Sequence, residues 1–139
     1  MSVSQVAVFL ENKKGRLSEM TKILGDAGID LVALTIADTK EFGIVRFITK
    51  DNDGVLKILR ENGYTASKNE LLGVEVSDAP GGLHGVLRIL GDAGVEIEYL
   101  YSFAKTNSGK AIILFKVDSA EKAVNVLQAS GVDLIEKII

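Results

Sequence analysis

The sequence contains no cysteine, and that absence removes disulfides, thiol nucleophiles and thiolate metal sites together. Histidine occurs once, at His84, so a multi-histidine zinc site is excluded as well, and no metal is expected. Proline also occurs once, at Pro80, and there is no long polar tract, so order is expected everywhere except at the first few residues. No apolar run approaches the ~20 residues of a membrane-spanning helix, so no membrane partner is expected. Residues 1–5 lack the basic start and apolar stretch of a secretory leader. Lysine and arginine are scattered and the net charge is −3, whereas a nucleic-acid partner requires a basic footprint. A cytoplasmic location is the expectation left by elimination.

The balance that remains, 47% apolar and 25% charged, is that of a globular protein. The 139 residues make one ordinary domain or two small ones, and a half of that length buries only a marginal core by itself.

The strongest signal is internal. Leu24-Gly25-Asp26-Ala27-Gly28-Ile29-Asp30 recurs 66 residues later as Leu90-Gly91-Asp92-Ala93-Gly94-Val95-Glu96, and Gly15-Arg16-Leu17 recurs at the same offset as Gly81-Gly82-Leu83. Leu59 to Gly63 recurs as Leu127 to Gly131, now 68 residues apart. The second copy has gained two residues, and the loops near 41–43 and 106–109 are where an insertion is cheapest. Two domains are expected, residues 1–68 and 69–139.

Each copy reads as strand, helix, strand, strand, helix, strand. In the first, residues 5–10 alternate, Leu17, Met20, Ile23 and Leu24 mark one helical face, and Gly28 stops that helix. Residues 31–37 and 44–49 form a predicted hairpin, Val55, Ile58 and Leu59 mark a second helix, and residues 64–67 a last strand. The second copy repeats the order over residues 72–77, a helix through Ala93, 95–103, 111–117, a helix through Ala129, and 132–138. The predicted fold is α+β: two ferredoxin-like βαββαβ units, each a four-stranded antiparallel sheet with two helices on one face.

Alternation places Ala33, Thr35 and Ala37 on one sheet face of the first copy and Tyr99, Tyr101 and Phe103 on the matching face of the second. The aromatic stripe is either a pocket or interface wall, or ordinary core.

Glu11-Asn12-Lys13-Lys14-Gly15-Arg16-Leu17 after a strand, a helix ending Asp26-Ala27-Gly28-Ile29-Asp30, and the stretch from Ala37 to Arg46 together resemble the ACT domain. Asp78-Ala79-Pro80-Gly81-Gly82-Leu83 matches that family's acid-or-amide, x, proline, glycine, x, leucine pattern more closely, although Lys14 stands where the first copy would carry the proline. The resemblance spans nearly the whole chain and implies a free-standing tandem ACT protein. It implies a regulatory module that binds a free amino acid or similar small metabolite at an interface between units, near the loop from first strand to first helix. It also implies a homo-oligomer and a metabolic enzyme as a possible partner. Carried over by motif position, the ligand-binding set is Asn12, Lys13, Lys14, Gly15, Arg16 and Leu17, then Asp78, Ala79, Pro80, Gly81, Gly82 and Leu83. Asp30 and Glu96, at the start of the second strand of each copy, are expected to contact ligand from a facing unit, and an acid there favours an ammonium group.

The physics of the loop fits that role. A glycine permits a tight turn and close approach, and the helix N-terminus behind it presents unpaired N–H groups to a carboxylate. Asn12 and Asp78 could equally cap their helices. Lys13, Lys14 and Arg16 either attract an anion or form a solvated loop. Asp38, Thr39 and Phe42 have no counterpart in Ala104, Lys105 and Ser108, and are either a contact special to the first unit or hairpin-turn chemistry. Arg46 among strand residues is open between ion pair, ligand contact and interface.

Catalysis has little to stand on, so no catalytic residue and no cofactor are expected. No nucleophile-elbow pattern surrounds any serine, and the glycines of 81–85 lack the Lys-Ser/Thr of a phosphate loop. A small enzyme with a substrate-assisted mechanism is the weakest reading. A metal carrier on this fold needs Cys-x-x-Cys, and an RNA binder would not flank its aromatic stripe with Glu96 and Glu98. The expected function is a regulatory amino-acid sensor; the alternative is a ligand-free regulatory subunit docking on a metabolic enzyme through its sheet face.

Overall fold

The computed structural model describes residues 2–38, 41–105 and 109–136. The chain divides into two compact units, Ser4–Asn69 and Glu70–Ile138, the latter joined by Met1–Val3. The elements run β1 (Val3–Glu11), α1 (Arg16–Asp26), β2 (Ala33–Asp38), β3 (Phe42–Ile48), α2 (Asn52–Glu61), β4 (Thr65–Ser77), α3 (Gly82–Asp92), β5 (Ile97–Lys105), β6 (Lys110–Val117), α4 (Ala120–Ala129) and β7 (Asp133–Ile135). Residues 65–69 of β4 end the first unit and residues 70–77 begin the second.

The strand order is β2-β3-β1-β4 in the first unit and β7-β4-β6-β5 in the second, the predicted ferredoxin-like arrangement. Val8 faces Val45 across the β1–β3 ladder, and Val74 faces Ile113 across the β4–β6 ladder, the same register seen twice. Ala33 pairs with Ile48, and Tyr99 with Lys116. The first partners of these pairs are 66 residues apart and the second partners 68. The two extra residues of the second copy therefore lie in the turn between the pair Asp38–Gly43 and its counterpart Ala104–Ala111. The tips of these turns, with Thr39 and Ser108, lie outside the described residues, as do the side chains of Asp38, Phe103, Ala104 and Lys105.

Alternation along each strand sends one set of side chains under the helices. In the first unit Val6, Val8, Leu10, Val45 and Phe47 meet Met20 and Leu24 of α1 and Val55 and Leu59 of α2. In the second, Val74, Ile113, Phe115 and Val117 meet Val86 and Leu90 of α3 and Ala123 and Leu127 of α4. Tyr99 and Tyr101 stand opposite Lys116 and Leu114, on the sheet face turned away from the helices.

Each first helix ends where its glycine was expected to stop it. Gly28 (φ 75°) and Gly94 (φ 74°) are left-handed, and the following amides return to the helix, Ile29 to Leu24 O and Val95 to Leu90 O. The following strand starts later than the β-rich residues suggest, at Ala33 and Ile97, not at 31 and 95. The intervening residues cross from helix layer to sheet layer, with Ile29 and Leu31 packed on the core as they do so. β1 starts at Val3, two residues before the alternation is recognisable. α2 is capped by Asp51, whose Oδ1 accepts the Gly54 amide at 3.0 Å.

Phe47 and Phe115 are equivalent, fully buried, and central to their respective cores. Phe47→Ala and Phe115→Ala should each destabilise by about 3–5 kcal/mol, read as a lowered urea midpoint.

Candidate functional site

The loop between first strand and first helix has one geometry in both units. Gly15 and Gly81 are the helix N-caps, both left-handed at φ 88°, with ψ −7° and −6°. One turn-closing bond precedes each, from Arg16 N–H to Lys13 O and from Gly82 N–H to Ala79 O, and the first helical bonds run from Glu19 N–H to Gly15 O and from Gly85 N–H to Gly81 O. The start of each loop is clamped to the neighbouring hairpin: Asn12 N–H donates to Glu41 O at 2.8 Å, and Asp78 N–H to Gly109 O at 2.9 Å. The capping alternative for Asn12 and Asp78 is thereby corrected. The caps are glycines three residues further on, and no side-chain cap bond is made at either helix start.

Asn12, Lys13, Lys14, Gly15, Leu17, Asp78, Ala79, Pro80, Gly81 and Leu83 are exposed, and Arg16 and Gly82 half-buried. The predicted set therefore forms an accessible loop at one end of each unit. Asp30 and Glu96 are exposed too, but they follow the C-terminal ends of α1 and α3 and precede β2 and β5. Eleven residues of helix, about 16 Å at 1.5 Å per residue, separate the two ends. Within one unit the loop residues come together, and Asp30 or Glu96 does not join them. Glu96 is held where it is by its amide donating to Asp118 Oδ1 at 3.0 Å.

Two of the first loop's charges, Lys13 and Arg16, have partners within the unit. Lys13 Nζ lies 2.8 Å from Glu11 Oε2, and that ammonium holds the Glu11 carboxyl below the usual carboxylate range. The Arg16 guanidinium lies over the Tyr64 ring, 5.2 Å from its centre, with Nη1 3.4 Å from Glu19 Oε1. The Tyr64 hydroxyl donates to that same Glu19 oxygen at 2.8 Å. Sequence reasoning passed over Glu19 and Tyr64; setting them against Gly85 and Val132 at the two repeat offsets is the signal that could have found them. Phe42 opens β3 opposite Glu11 and stacks on Phe9, ring centres 4.8 Å apart, on the face away from the helices. Arg46 is half-buried on that face, between Ala7 and Thr35. Among the described residues no cluster of three or more histidine, cysteine or acidic side chains could hold a metal, and no helix is long and apolar enough to cross a membrane.

A duplicated βαββαβ frame, with a left-handed glycine opening the first helix of each copy, defines the class. The chain belongs to the ACT domain family, in the form of an ACT domain pair whose family model matches residues 1–138. Among solved structures it is similar to a Bacteroides thetaiotaomicron protein, with 39% identity, a TM-score of 0.90, and coverage of 97% of this chain and 92% of that one. It is also similar in fold to the ligand-free regulatory subunit of aspartate kinase from Thermus thermophilus, with 18% identity, a TM-score of 0.65, and coverage of 92% and 90%. A third likeness is to Clostridium acetobutylicum aspartate kinase, an allosteric enzyme, with 14% identity, a TM-score of 0.54, and coverage of 93% of this chain and 33% of that one. No curated protein matches the chain.

Burial, followed by the bond to Glu19, pushes the Tyr64 hydroxyl up from its ordinary value of 10.0. The folded chain therefore holds that proton more tightly than the unfolded chain. The stability this contributes is complete below about pH 10 and is lost as pH rises through the folded value. Tyr64→Phe should cost about 0.5–1.5 kcal/mol at neutral pH. Its denaturation midpoint should fall less than the parent's between about pH 9 and pH 11, which urea titrations at both pH values would read.

Proposed function

We propose that the chain is a non-catalytic regulatory sensor that binds a free amino acid or similar small metabolite at an interface between ACT units. The facing unit is supplied by a second copy of the chain. The observation that carries this reading is the pair of exposed loops with one shared geometry. A left-handed glycine leaves the following backbone open to a ligand, with the N-terminus of α1 or α3 behind it. Asn12 or Asp78 is then placed to receive an ammonium group.

Self-association is supported by the surface around the edge strands. Leu17 and Leu83 on the first turns, and Leu34 and Leu100 on β2 and β5, are equivalent pairs, and all four are exposed. Both strands are sheet edges, which a second chain can pair or cover. A two-fold partner running antiparallel would bring its Asp30 or Glu96 to the loop end that its own unit leaves without one. The regulatory subunit and the allosteric kinase similar in fold support a regulatory role. On this reading the chain works in the cytoplasm beside a metabolic enzyme.

A second reading, a ligand-free subunit docking on an enzyme through its sheet face, is favoured by Phe9 and Phe42, stacked yet 46% and 39% exposed there. A thermal-shift screen of the common amino acids distinguishes the two. The sensor reading expects a selective rise, equivalent to about 2–3 kcal/mol at a hundredfold excess over Kd. Asn12→Ala or Asp78→Ala should weaken the responding site about tenfold or more without unfolding the chain, since both residues are exposed. Response to no amino acid, with Phe9→Ser abolishing capture of an enzyme, would establish the second reading. Gly15 and Gly81 are poor test positions, because a β-branched residue at φ 88° is strained whatever the ligand does.

A further inference from the structure

The two units differ most sharply in the angle between the first turn of the first helix and the turn that follows the second helix. In the first unit the chain's own side chains fill it. The Tyr64 ring is 5% exposed there, Arg16 lies over its face, and Glu19 accepts its hydroxyl hydrogen. The equivalent residues of the second unit are Gly82, Gly85 and Val132, so all three side chains are cut back together. What remains is a hollow of about 280 Å³, lined by Val76, Val86, Ile89 and Val132 with Gly82 and Gly85 at its helix side.

The walls record the missing cover. Leu10 is 5% exposed beneath the filled angle of the first unit, while its counterpart Val76 is half-buried. Gly82 cannot restore the filling, because a Cβ there would strike the main-chain carbonyl of Ser77. Gly85 has open space beside it, with nothing within 4 Å of a Cβ. Glu75 and Asp133 also border the hollow, as cross-strand neighbours. Alternation turns their carboxylates to the opposite sheet face, because Val74 and Leu134 beside them join the core under the helices. The wall presented to an occupant is therefore mainly apolar, with Ser77 and its main-chain carbonyl as a polar rim beside Gly82.

We propose that this hollow is a binding site for a small single-ring phenolic compound, by which the second unit takes from solution the ring that Tyr64 supplies in the first. The volume lies at the low end for ligand pockets and suits one ring, not a fused system. Apolar walls bind such a ring by removing their own surface from water. Gly85 replaces the hydroxyl's acceptor of the first unit, so the phenolic oxygen would sit at the open mouth, solvated. The site shares Gly82 with the proposed amino-acid loop, but Asp78 does not line it.

The probe is p-cresol, the tyrosine side chain as a free molecule, titrated into the full chain and followed by amide ¹⁵N–¹H spectra. Saturable shifts of Gly82, Gly85 and Gly131 are expected, without matching shifts at Gly63. Val132→Tyr and Gly85→Leu should each weaken those shifts at least tenfold. Gly85→Leu serves as the second variant because its Cβ meets no neighbour and a helix gains from losing an interior glycine. Tyr64→Val should vacate the ring's place in the first unit, so that Gly63 then responds. No saturable shift at the second-unit glycines overturns the proposal, whatever Tyr64→Val does, and so do shifts that persist undiminished in both filled variants. Loss of the amino-acid response in Asp78→Ala leaves this site untouched.

Discussion

A peptide unit held in the left-handed region at the start of a helix is the constraint on which each unit is built. At Gly15 and Gly81 the chain leaves a sheet strand, reverses, and begins a helix that must lie flat on that same sheet. An ordinary side chain would cost roughly 1–2 kcal/mol at such a φ. The amide clamps of Asn12 on Glu41 and Asp78 on Gly109 then fix the loop to the next hairpin. With both ends tied, the helix axis is set, and so is the row of side chains it lowers onto the strands: Met20 and Leu24 in one unit, Val86 and Leu90 in the other. The loop that a ligand would meet is thus the same feature that holds the core in place, and its conformation is prepared before any ligand arrives.

On this shared frame the units are filled differently. The first closes its outer angle with a ring, a guanidinium and a carboxylate in mutual contact, so that Arg16 serves packing as much as charge. The second has Gly82, Gly85 and the smaller Val132 at the three places. The missing Cβ of Gly82 lets the first turn of α3 lie against the Ser77 carbonyl. A glycine in a helix interior is normally a loss of about 0.5–1 kcal/mol. Of the two glycines at the start of α3, Gly82 is its first residue and Gly85 lies inside it, so only the second is a local sacrifice of helix stability. Contact with the strand explains the first of them, and the hollow beside the second is what the other leaves behind.

Much of this was legible in the residues. The repeat offsets, 66 and then 68, placed the extra residues in the second hairpin, and the strand registers locate them between Asp38–Gly43 and Ala104–Ala111. The stops at Gly28 and Gly94 follow from local chemistry alone and are where they were expected. The starts of β2 and β5 were not legible, because β propensity in residues 31 and 95 says nothing about the distance a chain must travel between layers. The role of Tyr64 was hidden for a related reason. In sequence it reads as the first residue of a strand; only the packing of two helices and a turn brings it against Arg16 and Glu19, forty-five residues from the latter. The separation of Asp30 and Glu96 from the loops could, by contrast, have been counted from helix length.

Under the proposed function, that separation links binding to assembly. A site with its loop at one end of α1, and its acidic contact at the end of a facing α1, is complete only when two units meet head to tail. Ligand that touches both halves favours the assembled form by as much as assembly favours the ligand, since the coupling is reciprocal. On the proposed reading, the exposed leucines of the edges would supply a modest apolar attraction, leaving the free chain able to exist and the ligand able to decide. Had the loop and Asp30 lain at one end of a single unit, ligand could bind without changing how the units meet, and a sensor of the proposed kind would have no way to pass on the signal. The geometry that makes each unit incomplete is, under the proposed function, the means by which occupancy becomes a change of surface.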